Sequence, residues 1–294
     1  MQKIKKAIIL ANFTAIFLVI IKVITGILTG SLAVLSSALD SLLDFGVSLF
    51  NLYIFKRSGT KQDEYYNYGH GKIQGIGAVL EGLIVGFSGV ALIYFSIEKI
   101  LSQKGIEKVN ISIYMMIVSV IITGFLVYYL SNVAKENNNL TIRADMLHYK
   151  TDLRTNLGII FSLILIKITG FEILDAVISI MIGFYILFSS KSIILEGFHM
   201  LMDRKIDDEL IKKIIKIISI ADNRITGYHF LKTRKSGDDV FIDFHLVFNK
   251  DIKLLDAHTV GDKIEFEIIK IIPNSIISIH LDPFDDSNKD YCKV

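Results

Sequence analysis

The 294-residue chain contains one cysteine and two prolines. A single thiol, Cys292, excludes an intrachain disulfide and any cysteine-rich zinc motif. Pro273 and Pro283 both fall late, so no proline interrupts the apolar segments before them. Charge is also scarce. Charged residues make up 21% of the chain and the net charge is +2, which offers no bulk electrostatic attraction to nucleic acid. The sequence has no GxxxxGK[ST] phosphate cradle and no HExxH motif. It has no low-complexity stretch and no solenoid period. What it has is apolar content: 52% hydrophobic residues and a mean hydropathy of +0.51, too apolar for an ordinary soluble domain.

Apolar windows long enough to cross a bilayer fall at roughly 7–29, 32–55, 74–96, 112–133, 147–168 and 174–196. The first follows a basic head, as a signal peptide would. It is too long for a signal core and has no small-residue cleavage site, so it reads as a retained span. Lysines and arginines gather in the N-terminus (Lys3, Lys5, Lys6), the second–third loop (Lys56, Arg57, Lys61, Lys72), the fourth–fifth loop (Lys135, Arg143) and the start of the tail (Lys191, Arg204, Lys205). With six crossings these lie on one side, which puts both termini in the cytoplasm. Lys99, Lys104 and Lys108 are the exception.

The expected division is a six-helix transmembrane domain over 1–200 and a soluble α+β domain over 201–294. The tail reads as a helix over 206–219, strands over 226–233 and 239–248, a helix over 254–272 and a strand over 275–281. In the second strand Val240, Ile242, Phe244, Leu246 and Phe248 share one face, and Asp243 and His245 the other. Two helices on one face of a three-stranded sheet is a ferredoxin-like arrangement.

Four polar residues stand inside the apolar segments: Asp40 and Asp44 in one, His148 and Asp152 in another. Each pair is spaced i, i+4, on one face of a helix. A carboxylate at bilayer depth costs about 3 kcal/mol on insertion scales, and unpaired carboxylates there repel one another. A bound dication removes that repulsion. Three oxygen donors and one imidazole suit a four-coordinate divalent metal such as zinc. Such a set binds metal only when deprotonated, so a proton gradient can drive metal release, with His148 as the natural titrating member. The competing reading, polar side chains that merely join helices, fits two such pairs poorly.

Asp63 and His70 are candidate ligands in the loop DEYYNYGHGK, against a plain hydrophilic loop. The tail holds His229, His245, His258, His280 and Asp282. Each alone is more often a solvated side chain, but four of the seven histidines in one small domain predict a second metal site. His199 reads as structural. Lys22 inside the first span must snorkel or find a partner, and Glu81 in the third has no evident role.

At GSLAVLSSALDSLLDFGVSL, YGHGK, IRADMLHYKTD, LMDR, TRKSG and IHLDP the chain resembles the cation diffusion facilitator family, in its bacterial zinc and ferrous-iron exporter branch. The resemblance implies a homodimer in the bacterial inner membrane with a cytoplasmic metallochaperone-like domain. It implies that Asp40, Asp44, His148 and Asp152 form the transport site, in a set similar to the branch that handles zinc with some iron or cadmium. The expected function is export of Zn²⁺ by proton antiport, with Fe²⁺, Cd²⁺, Co²⁺ or Mn²⁺ as alternative cargo. It implies a binuclear site built from His229, His245, His258, His280 and Asp282. It also implies a loop site at Asp63 and His70, where the branch often has a histidine in place of Tyr66, a poor zinc ligand. An intramembrane metalloenzyme would need an open coordination position and a general base, and none is evident. A membrane-anchored metal sensor would not need four ionisable ligands at bilayer depth.

Overall fold

In the computed structural model the described residues are 2–29, 32–60, 62–102, 109–137, 139–169, 173–284 and 292–293, without the side chains of 2, 25–26, 28–29, 32–40, 43, 99, 102, 109–116, 155, 159, 162–169, 173–175 and 292–293. The chain forms two compact units, Met1–Phe198 and His199–Val294.

The first unit is built of long helices: α1 (Gln2–Thr29), α2 (Leu32–Ser58), α3 (Ile73–Ser102), α4 (Val109–Glu136), α5 (Leu140–Thr169) and α6 (Ile173–Leu201). Each has 27 to 30 residues, about 40 Å or more at 1.5 Å per residue. Four of them, α1, α3, α4 and α6, are long and apolar enough to cross a membrane. The other two, α2 and α5, carry the polar residues singled out above.

The helices pack inside out relative to a soluble bundle. Phe13, Phe87, Phe125 and Phe188 are exposed, whereas Ser48, Asn51, Glu81, Asp145, His148 and Thr151 are buried. Large apolar side chains turned outward and polar ones inward is the arrangement a lipid solvent demands. Small residues bring the helices close. Ala7 and Ala11 of α1 are fully buried with Leu130 of α4 and Ile142 of α5. On α6, a Cβ at Gly197 would lie 2.6 Å from the Gly75 carbonyl oxygen of α3, so only glycine permits that crossing. Lys22 meets Ser41, its Nζ donating to the hydroxyl at 2.8 Å.

The second unit runs α7 (Asp208–Ala221), β1 (Ile225–Ser236), β2 (Asp239–Phe248), α8 (Leu254–Ile271), β3 (Ser275–Pro283) and β4 (Cys292–Lys293). Asp208 and Glu209 in the first turn of α7 complement its dipole. The small mixed sheet has the order β3-β2-β1-β4. β1 and β2 form an antiparallel hairpin closed by Gly237 at φ 64°. β2 and β3 are parallel, the pairing that requires a crossover, here α8.

Ile214 and Ile218 of α7 and Val260, Ile264 and Ile268 of α8 pack on Val240, Ile242, Phe244, Leu246 and Phe248. Two features depart from the alternating pattern. Phe241 and Val247 are buried although they lie on the opposite face; the Arg234 guanidinium covers the Phe241 ring at 4.6 Å. Cys292 and Lys293 add a short strand to β1 at Gly227 and Tyr228, where no sequence signal marked one.

Candidate metal centre

Helices α2 and α5 bring Asp44, His148 and Asp152 together. His148 Nε2 lies 3.2 Å from Asp44 Oδ1 and 3.6 Å from Asp152 Oδ2. One ligand atom from each of the three falls within 4.8 Å of the others. Donors about 2.0–2.2 Å from a tetrahedral zinc stand about 3.3 Å apart, so these spacings match one ion among three ligands. The His148 side chain is 7% exposed, and Asp44 and Asp152 are half-buried. Asp40 stands one helical turn before Asp44 on α2; its side chain lies outside the described residues. An imidazole between two carboxylates can be satisfied by a proton or by a dication, and one excludes the other.

A second polar group was missed in the sequence. The Asn51 amide donates from Nδ2 to Glu81 Oε2 at 3.0 Å and to Asp145 Oδ1 at 3.2 Å. All three residues are buried. Asp145 carried a signal, being a carboxylate three residues before His148 in an apolar context. Asn51 carried none.

In the loop between α2 and α3, His70 Nε2 lies 3.5 Å from Asp63 Oδ2. Both nitrogens of His70 are buried without a hydrogen-bond partner. Asp63 Oδ1 accepts the backbone N–H groups of Tyr65 and Tyr66 at 2.9 and 2.7 Å. The Tyr66 hydrogen bond chiefly holds the Asp63 carboxyl below the usual carboxylate range. The Tyr66 ring stands 4.5 Å from that of His70, covering it.

In the second unit the sheet register builds the group directly. His229 of β1 pairs with His245 of β2, and His245 with His280 of β3. Three imidazoles therefore form a row across the strands, on the face opposite α7 and α8. Asp282, two residues after His280, shares its face. His229 Nε2 and His245 Nδ1 each lie 2.8 Å from Asp282 Oδ2, and His280 Nε2 lies 3.0 Å from Oδ1. One carboxylate thus turns one oxygen to two histidines and the other oxygen to the third, as a bridge between two metal positions would.

Partial burial raises the Asp282 pKa, but the hydrogen bonds from His245 and His229 and the charge of His280 outweigh it and hold the carboxyl low. A bulge after His229 sets Phe230 at φ 52°, a strained conformation for a bulky residue; its ring lies 4.8 and 5.3 Å from those of His229 and His245. The structure does not bring His258 to this group. That residue is on α8, beyond the other face of the sheet, exposed and 3.6 Å from Asp262. His199, read as structural, has the Arg204 guanidinium 2.7 Å from Nδ1.

Residues 8–202 match the family described as cation efflux transmembrane domain, and residues 206–284 match that described as cation efflux protein, cytoplasmic domain. The chain is 32% identical over 242 residues to the cation-efflux pump FieF of Escherichia fergusonii, covering 82% of this chain and 80% of that protein. It is 33% identical to the FieF of Escherichia coli strain K12 over the same shares. A solved chain of CzrB in its zinc form is 27% identical and covers 30% of this chain and 99% of its own, with a TM-score of 0.28, too slight a likeness to bear on the fold.

Proposed function

The chain belongs to the cation efflux family, and on that premise we propose that it is a secondary transporter exporting a divalent cation from the cytoplasm in exchange for protons. Zinc is the first candidate. Fe²⁺, Cd²⁺, Co²⁺ and Mn²⁺ are the alternatives that a mixed nitrogen and oxygen site tolerates. The observation that carries the reading is the convergence of Asp44, His148 and Asp152, from α2 and α5, within 4.8 Å. With Asp40 added from the preceding turn of α2, the site offers four donors and two net negative charges beyond one neutralising proton.

In this reading α2 and α5 cross beside the four more apolar helices, giving six spans in a bacterial inner membrane, and the distribution of lysine and arginine supports two cytoplasmic termini. Residues 1–200 form the transport domain. Residues 201–294 form a ferredoxin-like domain that binds metal and joins two copies as a homodimer. Its row of histidines and Asp282 supplies nitrogen and anionic oxygen donors that fit zinc, and a zinc ion there would neutralise the cluster and stiffen the sheet face. His258 is exposed on α8, apart from the row within one protomer. Asp63 and His70 form a weak third site.

Asp44→Ala in the full-length protein is expected to abolish zinc flux into proteoliposomes while the tail still binds zinc. Undiminished flux in that variant would remove the membrane centre from the mechanism. A sensor would keep its zinc response when this residue is lost, and that result would replace the transporter reading.

A further inference from the structure

Glu81 and Asp145 are two carboxylates buried between α2, α3 and α5, at 2% and 0% exposure. Their one shared partner is Asn51, whose amide group donates to an oxygen of each. The other two oxygens, Glu81 Oε1 and Asp145 Oδ2, are buried and have no hydrogen-bond partner. A neutral amide cannot balance two negative charges, and a buried carboxylate oxygen left unbonded costs several kcal/mol. Arg143, two residues before Asp145, does not help: it is held by Glu196 at 2.6 Å. Two carboxylates buried together do not both ionise without a compensating positive charge nearby. An extra proton on one of them removes a charge and gives an orphaned oxygen an O–H.

The placement ties this pair to the metal centre. Asn51 is seven residues after Asp44 on α2, about 10 Å along the helix and on the same face. Asp145 is one turn before His148 on α5. The titratable groups that act on the pair are His148, Tyr149 and Asp152, all from α5. The stretch 7–21 of α1 and the two turns of α3 on either side of Glu81 carry none.

We propose that Asn51, Glu81 and Asp145 form an exchangeable proton site, separate from the metal ligands, that empties when the metal centre fills. The inference rests on the metal/proton exchange proposed above. A dication arriving at Asp44, His148 and Asp152 brings positive charge one to two helical turns away, which favours the ionised pair. One carboxyl O–H bond breaks, the proton passes to water, and two carboxylates remain to balance the metal. On metal release a proton returns. The amide of Asn51 holds the two carboxylates in place in both states.

The test is the number of protons released per zinc bound by the purified full-length protein, measured with a pH indicator in weak buffer and repeated across pH 6–8. Glu81→Gln and Asp145→Asn keep the shape and lose the titrating group. Each is expected to release fewer protons per zinc than wild type, with zinc affinity changed by less than about tenfold. Glu81→Asp is expected to restore the release. An unchanged proton count and pH profile in both amide variants, each still folded by gel filtration and melting temperature, would overturn the inference alone. Zinc binding to wild type without proton release would overturn it together with the exchange reading.

Discussion

Asp282→Asn isolates what one carboxylate does for the tail site. In the structure it meets three imidazoles, at 2.8, 2.8 and 3.0 Å. Asparagine keeps the size and removes the charge. Without metal the cost is that of a lost charge-assisted hydrogen bond, about 1.5–3 kcal/mol. The contacts share one charge, so their energies do not add. With zinc the cost is larger, because the variant lacks the one anionic donor that reaches all three histidines. Altering a residue that merely supports a ligand costs about 10–100-fold in metal affinity, so removing Asp282 should cost at least the upper figure, about 2.7 kcal/mol. The assay is zinc titration of the full-length protein against a chelating dye, in an Asp44→Ala background that silences the membrane centre. Affinity within about tenfold of that background would refute the bridging role of Asp282.

Three other outcomes follow from particular contacts. Gly197→Ala would force a Cβ to 2.6 Å from the Gly75 carbonyl oxygen and 3.0 Å from the Val79 amide nitrogen; as both are backbone atoms, a loss of about 1–3 kcal/mol is expected, read as a lower melting temperature. Asp222 is held at about 2 by the side-chain and backbone hydrogen bonds of Arg224. Its stabilisation is complete above the unfolded value of about 3.9 and is lost as pH falls toward about 2, so Asp222→Asn should flatten the acid limb of the tail's stability curve in that window. Tyr66→His places an imidazole beside Asp63 and His70 and should raise the zinc bound per protomer; no rise would show that the loop pair is not a metal site.

The sequence carried the parts of this molecule that depend on spacing along one element. His148 and Asp152 share a face because i, i+4 residues do, and the alternation in β2 placed Ile242, Phe244 and Leu246 inward and His245 outward. What it did not carry are contacts between elements. The approach of Asp44 to His148 joins residues on separate helices. The row of His229, His245 and His280 depends on strand register, which alternation alone does not set. His258 was grouped with them by residue type, whereas the sheet separates them. Glu81 stood out as a charge in an apolar run, but its meaning appeared only once Asn51 and Asp145 were beside it. Phe241 and Val247 share the face of Asp243 and His245 yet are buried, and a period-two pattern cannot show that a side chain such as Arg234 covers part of that face.

In the proposed mechanism Asp44, His148 and Asp152, with Asp40, bind the transported ion and exchange it for protons. The most direct test is zinc flux into proteoliposomes under an imposed pH gradient, with wild type beside Asp152→Ala. Zinc movement is expected to reverse with the gradient in wild type and to vanish in the variant. Flux that ignores the gradient, or that survives Asp152→Ala, would contradict that mechanism.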